Sequence, residues 1–299
     1  MNRLTQVEKW KTTDCFDVCI IGSGASGAGV ALDAALRGYK VLLIEKNDFG
    51  GETSSRSTKL IHGGVRYLEQ AVKKFDFSQL KQVKHGLAER RYLLRNAPHL
   101  AKPLAIITPV FSWFEGFYYS IGLRLYGLFS KDSTFPSSQW LSKEQALRFI
   151  PNLSNTLQSA VMYYDGQLDD ARYTLALVQS AEKIGAVVLN HAYVSSFERD
   201  KTGKLISATV IDTLTFDQNE VKARVFVNCT GPFADSIRLL ANPNEYTRIR
   251  PSKGVHIVLS SHFLASDKAV LIPKTKDGRL VFVIPFQQAN SDCNMRTLI

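Results

Sequence analysis

Three glycines and one carboxylate have the types and spacing that bind a dinucleotide. Gly22, Gly24 and Gly27 form the pattern Gly-x-Gly-x-x-Gly, and Glu45 follows Gly27 by 18 positions. In such a pattern the first glycine lets the chain turn sharply off a strand, the second lets the backbone approach a diphosphate, and the third lets helix and strand pack closely. A carboxylate at the position of Glu45 accepts hydrogen bonds from the ribose hydroxyls of an adenosine, which favours FAD or NAD over NADP.

The elements needed to position these residues follow in the required order. The apolar run Phe16–Ile21 predicts a buried strand, and the Ala- and Leu-rich residues 28–37 predict a helix. Residues 39–44 predict a second strand. The helix N-terminus offers free N–H groups and the positive end of its dipole to phosphates. A glycine cluster alone often marks a mere turn, but a cluster between these elements predicts a dinucleotide-binding β-α-β unit.

The stretch after the second strand distinguishes a flavin from a nicotinamide. Residues 47–67 read NDFGGETSSRSTKLIHGGVRY, which is polar and rich in Ser, Thr and Gly. Nicotinamide enzymes usually continue directly into another helix–strand unit. A hydroxyl- and glycine-rich stretch instead suits a chain that runs along a diphosphate and past a flat ring, because its polar groups bind oxygen atoms and its glycines permit close approach. The sequence therefore favours FAD.

The composition is that of a globular protein without a metal-site pattern. The 299 residues are 45% hydrophobic and 21% charged, which is enough apolar material for a core. None of the four cysteines forms a C-x-x-C pair or has zinc-like spacing, so we predict no metal site. Cys19 and Cys229 lie in apolar runs, and we expect buried, reduced thiols.

The net charge of +10 leaves several partners open. It is compatible with nucleic acid, an anionic membrane surface, an anionic substrate and cofactor, or a dispersed and solvated surface charge. The lysines and arginines are scattered, with no basic block and no interleaved aromatic residues. We therefore expect no nucleic-acid partner.

A longer motif resembles that of a known family. Residues 53–69 match the pattern TSS-R-S-T-K-L-I-H-G-G-x-R-Y-L-E of FAD-dependent glycerol-3-phosphate dehydrogenases, a dense match that is far more specific than the glycine pattern. The likeness covers about residues 16–285 and extends, more loosely, to flavoproteins related to D-amino acid oxidase. Further segments that resemble the family are 87–100, 165–181, 223–232, 248–258 and 278–285.

The resemblance implies an α/β fold in which a Rossmann-like FAD-binding domain is interleaved with a β-rich substrate domain, as in D-amino acid oxidase-like flavoproteins. The expected FAD-binding domain comprises residues 14–100 and 165–240, and the expected substrate domain comprises 101–164 and 241–299. Family members continue with a second substrate-binding arginine, a glycine-rich segment and a helical C-terminal domain. With that C-terminal part missing, we expect a fragment, a truncated reading frame or a diverged product.

The activity implied by the resemblance is the FAD-dependent oxidation of sn-glycerol 3-phosphate to dihydroxyacetone phosphate, with the electrons passed to a quinone. One alternative is an oxidase that acts on the same substrate and passes electrons to O2. Another is a non-catalytic, truncated FAD-binding fragment, and an NAD-binding module is a third. The dehydrogenase and the oxidase both need a proton acceptor and cations that hold a phosphate.

His256 is the predicted base. Histidine titrates near neutral pH, and residues 253–256 match the Lys-Gly-x-His element of the family. The alternative is a core histidine on a strand, because Val255, Ile257 and Val258 flank it.

Arg66 and Tyr67 complete the predicted catalytic set. The resemblance places both at the substrate, where a guanidinium fork binds phosphate, whereas Arg66 taken alone is more typical of a surface position at a helix start. His62 either faces the flavin ring or holds its loop by hydrogen bonds, and Val194 resembles a position whose backbone contacts adenine. The predicted FAD contacts are Gly22, Gly24, Ser26, Gly27, Glu45, Lys46, Thr53, Ser54, Ser55, Lys59, Leu60, His62, Gly63, Val194, Thr230 and Gly231.

One aromatic stretch bears on a membrane contact. Residues 113–129 form a dense aromatic and aliphatic cluster, typical either of an interfacial helix or of a buried core helix. Residues 1–11 are polar and lack the apolar region of a signal peptide. Because the family passes electrons to quinone, the resemblance implies a cytoplasmic protein that is peripheral on the inner face of the cytoplasmic membrane.

The predicted flavin segment departs from the family at one position. Glu52 stands where a small residue is usual. A carboxylate repels a phosphate unless it points away, so the phosphate contacts depend on the direction of this side chain.

Overall fold

The chain forms two compact units in a computed structural model. The residues described are 1–64, 76–130, 135–275, 277–285 and 295–298. The first unit comprises Met1–Ser57 and Asp169–Ser252, and the second comprises Thr58–Leu168 and Lys253–Ile299. Each unit is built around its own sheet.

Helices, strands and 3-10 turns have the following bounds in the described ranges. The helices are α1 (Arg3–Thr12), α2 (Ala25–Leu36), α3 (Phe77–Asn96), α4 (Trp113–Ser130), α5 (Lys143–Phe149), α6 (Asp170–Lys183) and α7 (Ala234–Ala241). The strands are β1 (Phe16–Ile21), β2 (Val41–Ile44), β3 (Leu60–Ile61), β4 (Ala101–Val110), β5 (Gln139–Ser142), β6 (Ser159–Leu168), β7 (Val187–Leu189), β8 (Ala192–Arg199), β9 (Leu205–Asp212), β10 (Gln218–Asn228), β11 (His256–Ile257), β12 (Ala269–Ile272), β13 (Val281–Pro285) and β14 (Met295–Leu298). The 3-10 turns are Thr53–Ser55, Gly231–Phe233 and Ser261–Phe263.

The β-α-β unit predicted from the sequence is present in the first unit. β1 has the predicted bounds, whereas α2 begins at Ala25 rather than at Ala28. β2 begins at Val41 rather than at Tyr39, because the Tyr39 N–H still donates to the Ala34 carbonyl of the helix end. The order strand, helix, strand was therefore predictable, and the element bounds differ by two or three residues.

The sheet of the first unit joins a parallel half to an antiparallel half. Its six strands, counted over the described residues, have the order β7-β2-β1-β10-β9-β8. β1 is parallel to β2 and to β10, whereas β8, β9 and β10 are antiparallel neighbours. β10 serves both halves, because its residues 223–228 pair with β1 and its residues 218–222 pair with β9.

Alternate side chains of β1 enter two different core layers, as the period of a strand requires. Ile20 packs in the layer that contains Ala28 of α2 and residues of α6. Cys19 and Ile21 pack in the opposite layer, which contains Trp10 of α1 and side chains of β8, β9 and β10. A parallel sheet covered on both faces positions its strand ends rigidly, which suits a binding site at that edge.

The second unit contains a mixed sheet of eight strands, counted over the described ranges. The order is β11-β14-β13-β12-β4-β6-β3, and β5 also pairs with β6. β4 and β6 form the longest ladder, which is antiparallel from Ala101 opposite Leu168 to Val110 opposite Ser159. Two clusters of buried apolar side chains include residues of these strands.

The division into units differs from the expected domain bounds at three places: residues 58–100 and 165–168 group with the second unit, and residues 241–252 group with the first. Residues 58–100 group with the second unit because β3 pairs with β6 and because Arg90 of α3 forms an ion pair with Asp165 of β6. Residues 1–13 also group with the first unit, since α1 buries Trp10 in its core.

Candidate functional site

The carboxyl ends of three neighbouring strands meet at one edge of the first sheet. Ile21 at the end of β1 is opposite both Ile44 of β2 and Asn228 of β10. The glycine loop (residues 22–27), Glu45 and residues 228–231 therefore lie next to one another at the ends of β1, β2 and β10. In a doubly covered parallel sheet, this edge is where nucleotides bind, at the point where the chain leaves one strand toward both sides of the sheet.

The glycine loop has the close packing that its spacing predicted. Gly22 has a φ of +98°, and a Cβ there would lie 2.7 Å from the Cys229 carbonyl oxygen. A Cβ on Gly27 would lie 1.8 Å from the Gly22 carbonyl oxygen. Neither position accommodates a side chain, so both glycines are needed for the turn and for the approach of α2 to β1.

The start of α2 presents backbone donors at this edge. Gly24 is the N-cap residue and has no side chain with which to cap the helix. The Ala25 N–H donates to the Ser54 hydroxyl at 2.8 Å, which brings the 3-10 turn Thr53–Ser55 to the helix end. Ser26 is exposed in the first turn, where N–H groups have no partner within the helix. Such a terminus binds anions through its N–H groups and its dipole.

Glu45 stabilises the glycine loop through hydrogen bonds. Its carboxylate accepts hydrogen bonds from the Ser23 N–H at 2.8 Å, from the Ser23 hydroxyl at 3.2 Å and from the Asn47 N–H at 3.0 Å. A carboxylate has about four acceptor positions, so one position remains for a ribose hydroxyl. The adjacent Lys46 is exposed.

The turn after β10 forms the opposite side of this edge. Thr230 donates from its N–H and its hydroxyl to the Asn228 side-chain oxygen, at 3.2 Å and 2.7 Å. Asn228 also donates from its amide to the Ala234 carbonyl at 2.9 Å. Gly231 is exposed and has a φ of +55°. The sequence prediction included Thr230 and Gly231 but missed Asn228, whose signal was a polar residue at the end of an apolar strand.

Asp170 binds the hydroxyl-rich segment that follows β2. This residue was not predicted from the sequence. The Ser57 N–H and hydroxyl donate to the Asp170 carboxylate at 3.0 Å and 2.7 Å. Asp170 is buried at the start of α6. A second contact joins the same elements, because a Cβ on Gly50 would lie 3.0 Å from a methyl carbon of Thr174. The Asp169-Asp170 pair before an apolar helix was the available signal.

Glu52 points to a cation. Its carboxylate lies 3.4 Å from the Arg56 guanidinium, and both side chains are exposed. The departure from the family at Glu52 is thus compensated within the same loop.

Val194 is buried in the core layer of β8, β9 and β10. It pairs with Val210, and the register of β8 with β9 shifts between Val194 and Ser196. Two residues before it, the Ala192 N–H donates to the Glu45 carbonyl at 2.8 Å. The start of β8 therefore lies beside the acidic end of β2, and the side chain of Val194 serves the core.

The Cys229 thiol lies behind the glycine loop, where burial disfavours the thiolate. Cys229 is half-buried, and burial raises the pKa of its thiol. Burial also raises the pKa of Cys19 to about 12. Both are free thiols as expected, whereas Cys15, which precedes β1, is exposed.

The remaining predicted FAD contacts lie in the second unit. Lys59 is buried, with a φ of +57°, and its carbonyl accepts a hydrogen bond from the Leu168 N–H at 2.9 Å. Leu60 is half-buried in β3, His62 is exposed and Gly63 is buried.

The predicted catalytic residues are described only in part. His256 is half-buried in β11 and pairs with Leu298 of β14. Its neighbours Val255, Ile257 and Val258 are all exposed, so the alternative of a histidine surrounded by core residues is not supported. Arg66 and Tyr67 lie outside the described residues.

Known proteins with similar sequences share one description. A probable mitochondrial glycerol-3-phosphate dehydrogenase of Caenorhabditis elegans is 46% identical over 275 residues, which cover 91% of this chain and 38% of that protein. The mitochondrial glycerol-3-phosphate dehydrogenase of Arabidopsis thaliana is 45% identical over 280 residues, covering 92% and 44%. The chain thus spans about two fifths of the length of the curated relatives that it matches.

Solved structures show the same fold. The glycerol-3-phosphate dehydrogenase from Bacillus halodurans complexed with FAD superposes with a TM-score of 0.72 at 29% identity, covering 99% of this chain and 49% of that chain. The L-alpha-glycerophosphate oxidase from Mycoplasma pneumoniae superposes with a TM-score of 0.68 at 17% identity, covering 96% and 72%, and at that identity shows the fold alone.

These similarities confirm the resemblance seen in the sequence, the α/β flavoprotein fold class and FAD as the cofactor. The sequence model of the FAD dependent oxidoreductases matches residues 17–292. This chain belongs to the family of FAD dependent oxidoreductases.

Proposed function

We propose that the chain is the FAD-binding part of an enzyme that oxidises sn-glycerol 3-phosphate to dihydroxyacetone phosphate and passes the electrons to a quinone. The observation that carries the proposal is the meeting of the glycine loop, Glu45 and residues 228–231 at one sheet edge. The substrate is inferred from the names of relatives that are 45–46% identical over more than nine tenths of this chain.

The residues at this edge fit the ADP part of FAD. A Cβ on Gly24 would lie 2.9 Å from the Ser54 hydroxyl, so a side chain there would fill the space between loop and helix. The first-turn N–H groups of α2 would hold the diphosphate, and Glu45 would accept a ribose hydroxyl. Thr53, Ser55, Thr230 and Gly231 would supply further polar contacts by the same chemistry.

The chemistry is divided between cofactor and protein. A bound FAD would supply the two-electron acceptor for the oxidation at the C2 carbon of the substrate. His256 would accept the proton of the C2 hydroxyl, because an imidazole nitrogen can act as a general base. Arg66 and Tyr67 hold the phosphate, since a guanidinium fork matches the oxygens of a phosphate.

The electron acceptor is tested by the fate of the reduced flavin. We propose a quinone; oxidation by O2 would instead release hydrogen peroxide. Purified protein loaded with FAD is mixed with glycerol 3-phosphate under air and, in parallel, without air but with a quinone-type dye. Dye reduction in large excess over peroxide supports the dehydrogenase, and peroxide as the main product contradicts it.

A peripheral membrane contact, on the inner face of the cytoplasmic membrane, belongs to the same proposal. Within the described ranges, no helix is both long enough and apolar enough to cross a bilayer. The first half of α4 nevertheless exposes aromatic side chains, with Trp113 at 74%, Phe114 at 91% and Phe117 at 68% exposure. A core helix would bury these rings, whereas an interfacial helix inserts them among lipid headgroups.

Sedimentation with lipid vesicles tests this contact. Replacing Phe114 and Phe117 by serine is expected to reduce co-sedimentation with vesicles of anionic phospholipid, because both rings leave the exposed face. Substitution of Leu4, which is 79% exposed outside this helix, is the control. Equal co-sedimentation of the unsubstituted chain, the chain with serine at positions 114 and 117, and the Leu4 variant would contradict the membrane role of α4.

The substrate proposal is tested without any acceptor. Glycerol 3-phosphate is added anaerobically to the FAD-loaded chain, and the visible flavin absorption band is followed. Bleaching by glycerol 3-phosphate but not by glycerol supports the proposal, because glycerol lacks the phosphate. A yellow protein that neither compound bleaches would contradict catalysis by this chain and would leave it an FAD-binding fragment.

A further inference from the structure

β3 and the residues beside it are held from two directions within the second unit. The Lys59 carbonyl accepts the Leu168 N–H at 2.9 Å, and Leu60 and Ile61 pair with Gln167 and Gly166 of β6. Lys59 is a buried non-glycine residue with a φ of +57°. Such a conformation is costly and persists only where the surrounding structure enforces it, as it does most often at functional sites.

On the side of β6, the approach is close enough to need a glycine. A Cβ on Gly166 would lie 3.1 Å and 3.2 Å from side-chain carbons of Ile61 and 3.2 Å from its carbonyl oxygen. These distances are below ordinary van der Waals contact, so any larger residue would displace β3 by a few tenths of an ångström. Gly166 therefore sets the position of β3 on the sheet.

On the side of α3, a second glycine faces the segment. A Cβ on Gly86 would lie 3.4 Å from the Gly63 Cα, so alanine would just reach van der Waals contact and a β-branched side chain would crowd Gly63. One turn further along α3, Arg90 forms an ion pair with Asp165 of β6 at 2.6 Å. Both side chains are only 1% exposed. This buried ion pair joins α3 to β6, because separating the two elements would break it inside the unit.

We infer that Gly86 and Gly166 are positioning residues that hold the proposed flavin contacts of the segment 59–63 at a fixed place on the sheet of the second unit, with the Arg90–Asp165 pair joining the two elements that carry them. The inference rests on the proposed flavin contacts of Lys59, Leu60, His62 and Gly63. It extends them, because it assigns the geometry of the flavin contact to residues that do not touch the cofactor.

The test is to add one methyl group at Gly166, which should shift the segment, and to measure the properties of the bound flavin. Gly166→Ala is compared with Gly122→Ala, a glycine of α4 in the same unit whose Cβ would meet no described atom within 4 Å. The readouts are the dissociation constant for FAD, the visible spectrum and midpoint potential of the bound flavin, and the unfolding temperature of the FAD-free chain. These readouts separate a positioning role from a merely structural one.

Gly166→Ala is expected to weaken FAD binding on the order of fivefold and to shift the spectrum and potential, since small misplacements of binding groups have large effects. Gly122→Ala is expected to change none of the flavin properties. If Gly166→Ala does not fold, Gly86→Val is compared with Gly86→Ala, and only valine is expected to alter the flavin.

Two outcomes would overturn the inference. The first leaves the proposed function intact, and the second overturns it as well. If the substituted chains bind FAD with unchanged affinity, spectrum and potential, the positioning role is wrong and the proposed function stands. If the unsubstituted chain fails to bind FAD at all, the proposed function is wrong and the inference falls with it.

Discussion

At the scale of single residues, the glycine loop depends on the absence of side chains. Gly22 and Gly27 occupy positions where a Cβ would overlap backbone atoms of the same unit. These clashes are with backbone atoms, which cannot rotate away as the end of a flexible side chain can. The loop that brings the start of α2 to the strand ends therefore exists only with glycine at both positions.

Gly27→Ala tests this dependence. The new Cβ would lie 1.8 Å from the Gly22 carbonyl oxygen, so the free energy of unfolding should fall by about 3 kcal/mol, the upper range for an overpacked site. FAD binding should be lost at the same time. Gly29→Ala is the matched control in the same helix, where the Cβ would meet no described atom within 4 Å. Urea unfolding curves of equal midpoint for both variants would contradict the packing described for Gly27.

His256→Ala tests the proposed base. Removal of a general base should slow anaerobic flavin reduction by about 10²–10⁴-fold. The affinity for FAD should not change, because the half-buried His256 lies in the short strand β11 of the second unit and is not a predicted FAD contact. Val255→Ala, at the exposed neighbouring position, should reduce at the normal rate. Stopped-flow traces with equal rate constants for His256→Ala and the unsubstituted chain would remove His256 from this role.

At the scale of elements, one buried ion pair joins α3 to β6. Arg90 also lies 4.1 Å from the ring centre of Phe135, so its guanidinium contacts both an aromatic face and a carboxylate. The neighbouring Tyr163 has its phenol pKa raised well above the usual range, first by burial and then by the charge of Asp165. The pair therefore lies in a region where an uncompensated charge is costly.

Asp165→Asn should lower the free energy of unfolding by about 3–5 kcal/mol, because it removes the charge of one partner from a buried ion pair. Asp33→Asn, which breaks an exposed pair with Arg37 on α2, should have little effect. Chemical denaturation followed by circular dichroism measures both. Similar midpoints for the two variants would show that the Arg90–Asp165 pair has no special role.

Local patterns were predictable, and partners distant in sequence were not. Gly22, Gly27 and Glu45 could be identified because their chemistry depends on neighbours within one β-α-β unit. Asp170 lies 113 positions from Ser57, and Arg90 lies 75 positions from Asp165. No local pattern indicates such pairs, because they form only when the chain folds. For the same reason the sequence did not assign residues 58–100 to the second unit.

At the scale of the whole molecule, the chain contains two units that each have a sheet and a buried core. The first unit contains the proposed contacts of the ADP part of FAD, and the second contains the segment 59–63 and His256. The chain spans about two fifths of its curated relatives. We therefore expect this chain to bind the cofactor, with the residues of the first unit holding the adenosine and the diphosphate.

Competition between FAD and ADP tests whether FAD binds through its adenosine and diphosphate. The purified chain is titrated with FAD, then with ADP, and flavin fluorescence reports the bound fraction. We expect binding of one FAD per chain, displacement by ADP, and much weaker binding of FMN, which lacks the adenosine. Binding of FMN as tightly as FAD, or failure of ADP to displace FAD, would contradict this expectation.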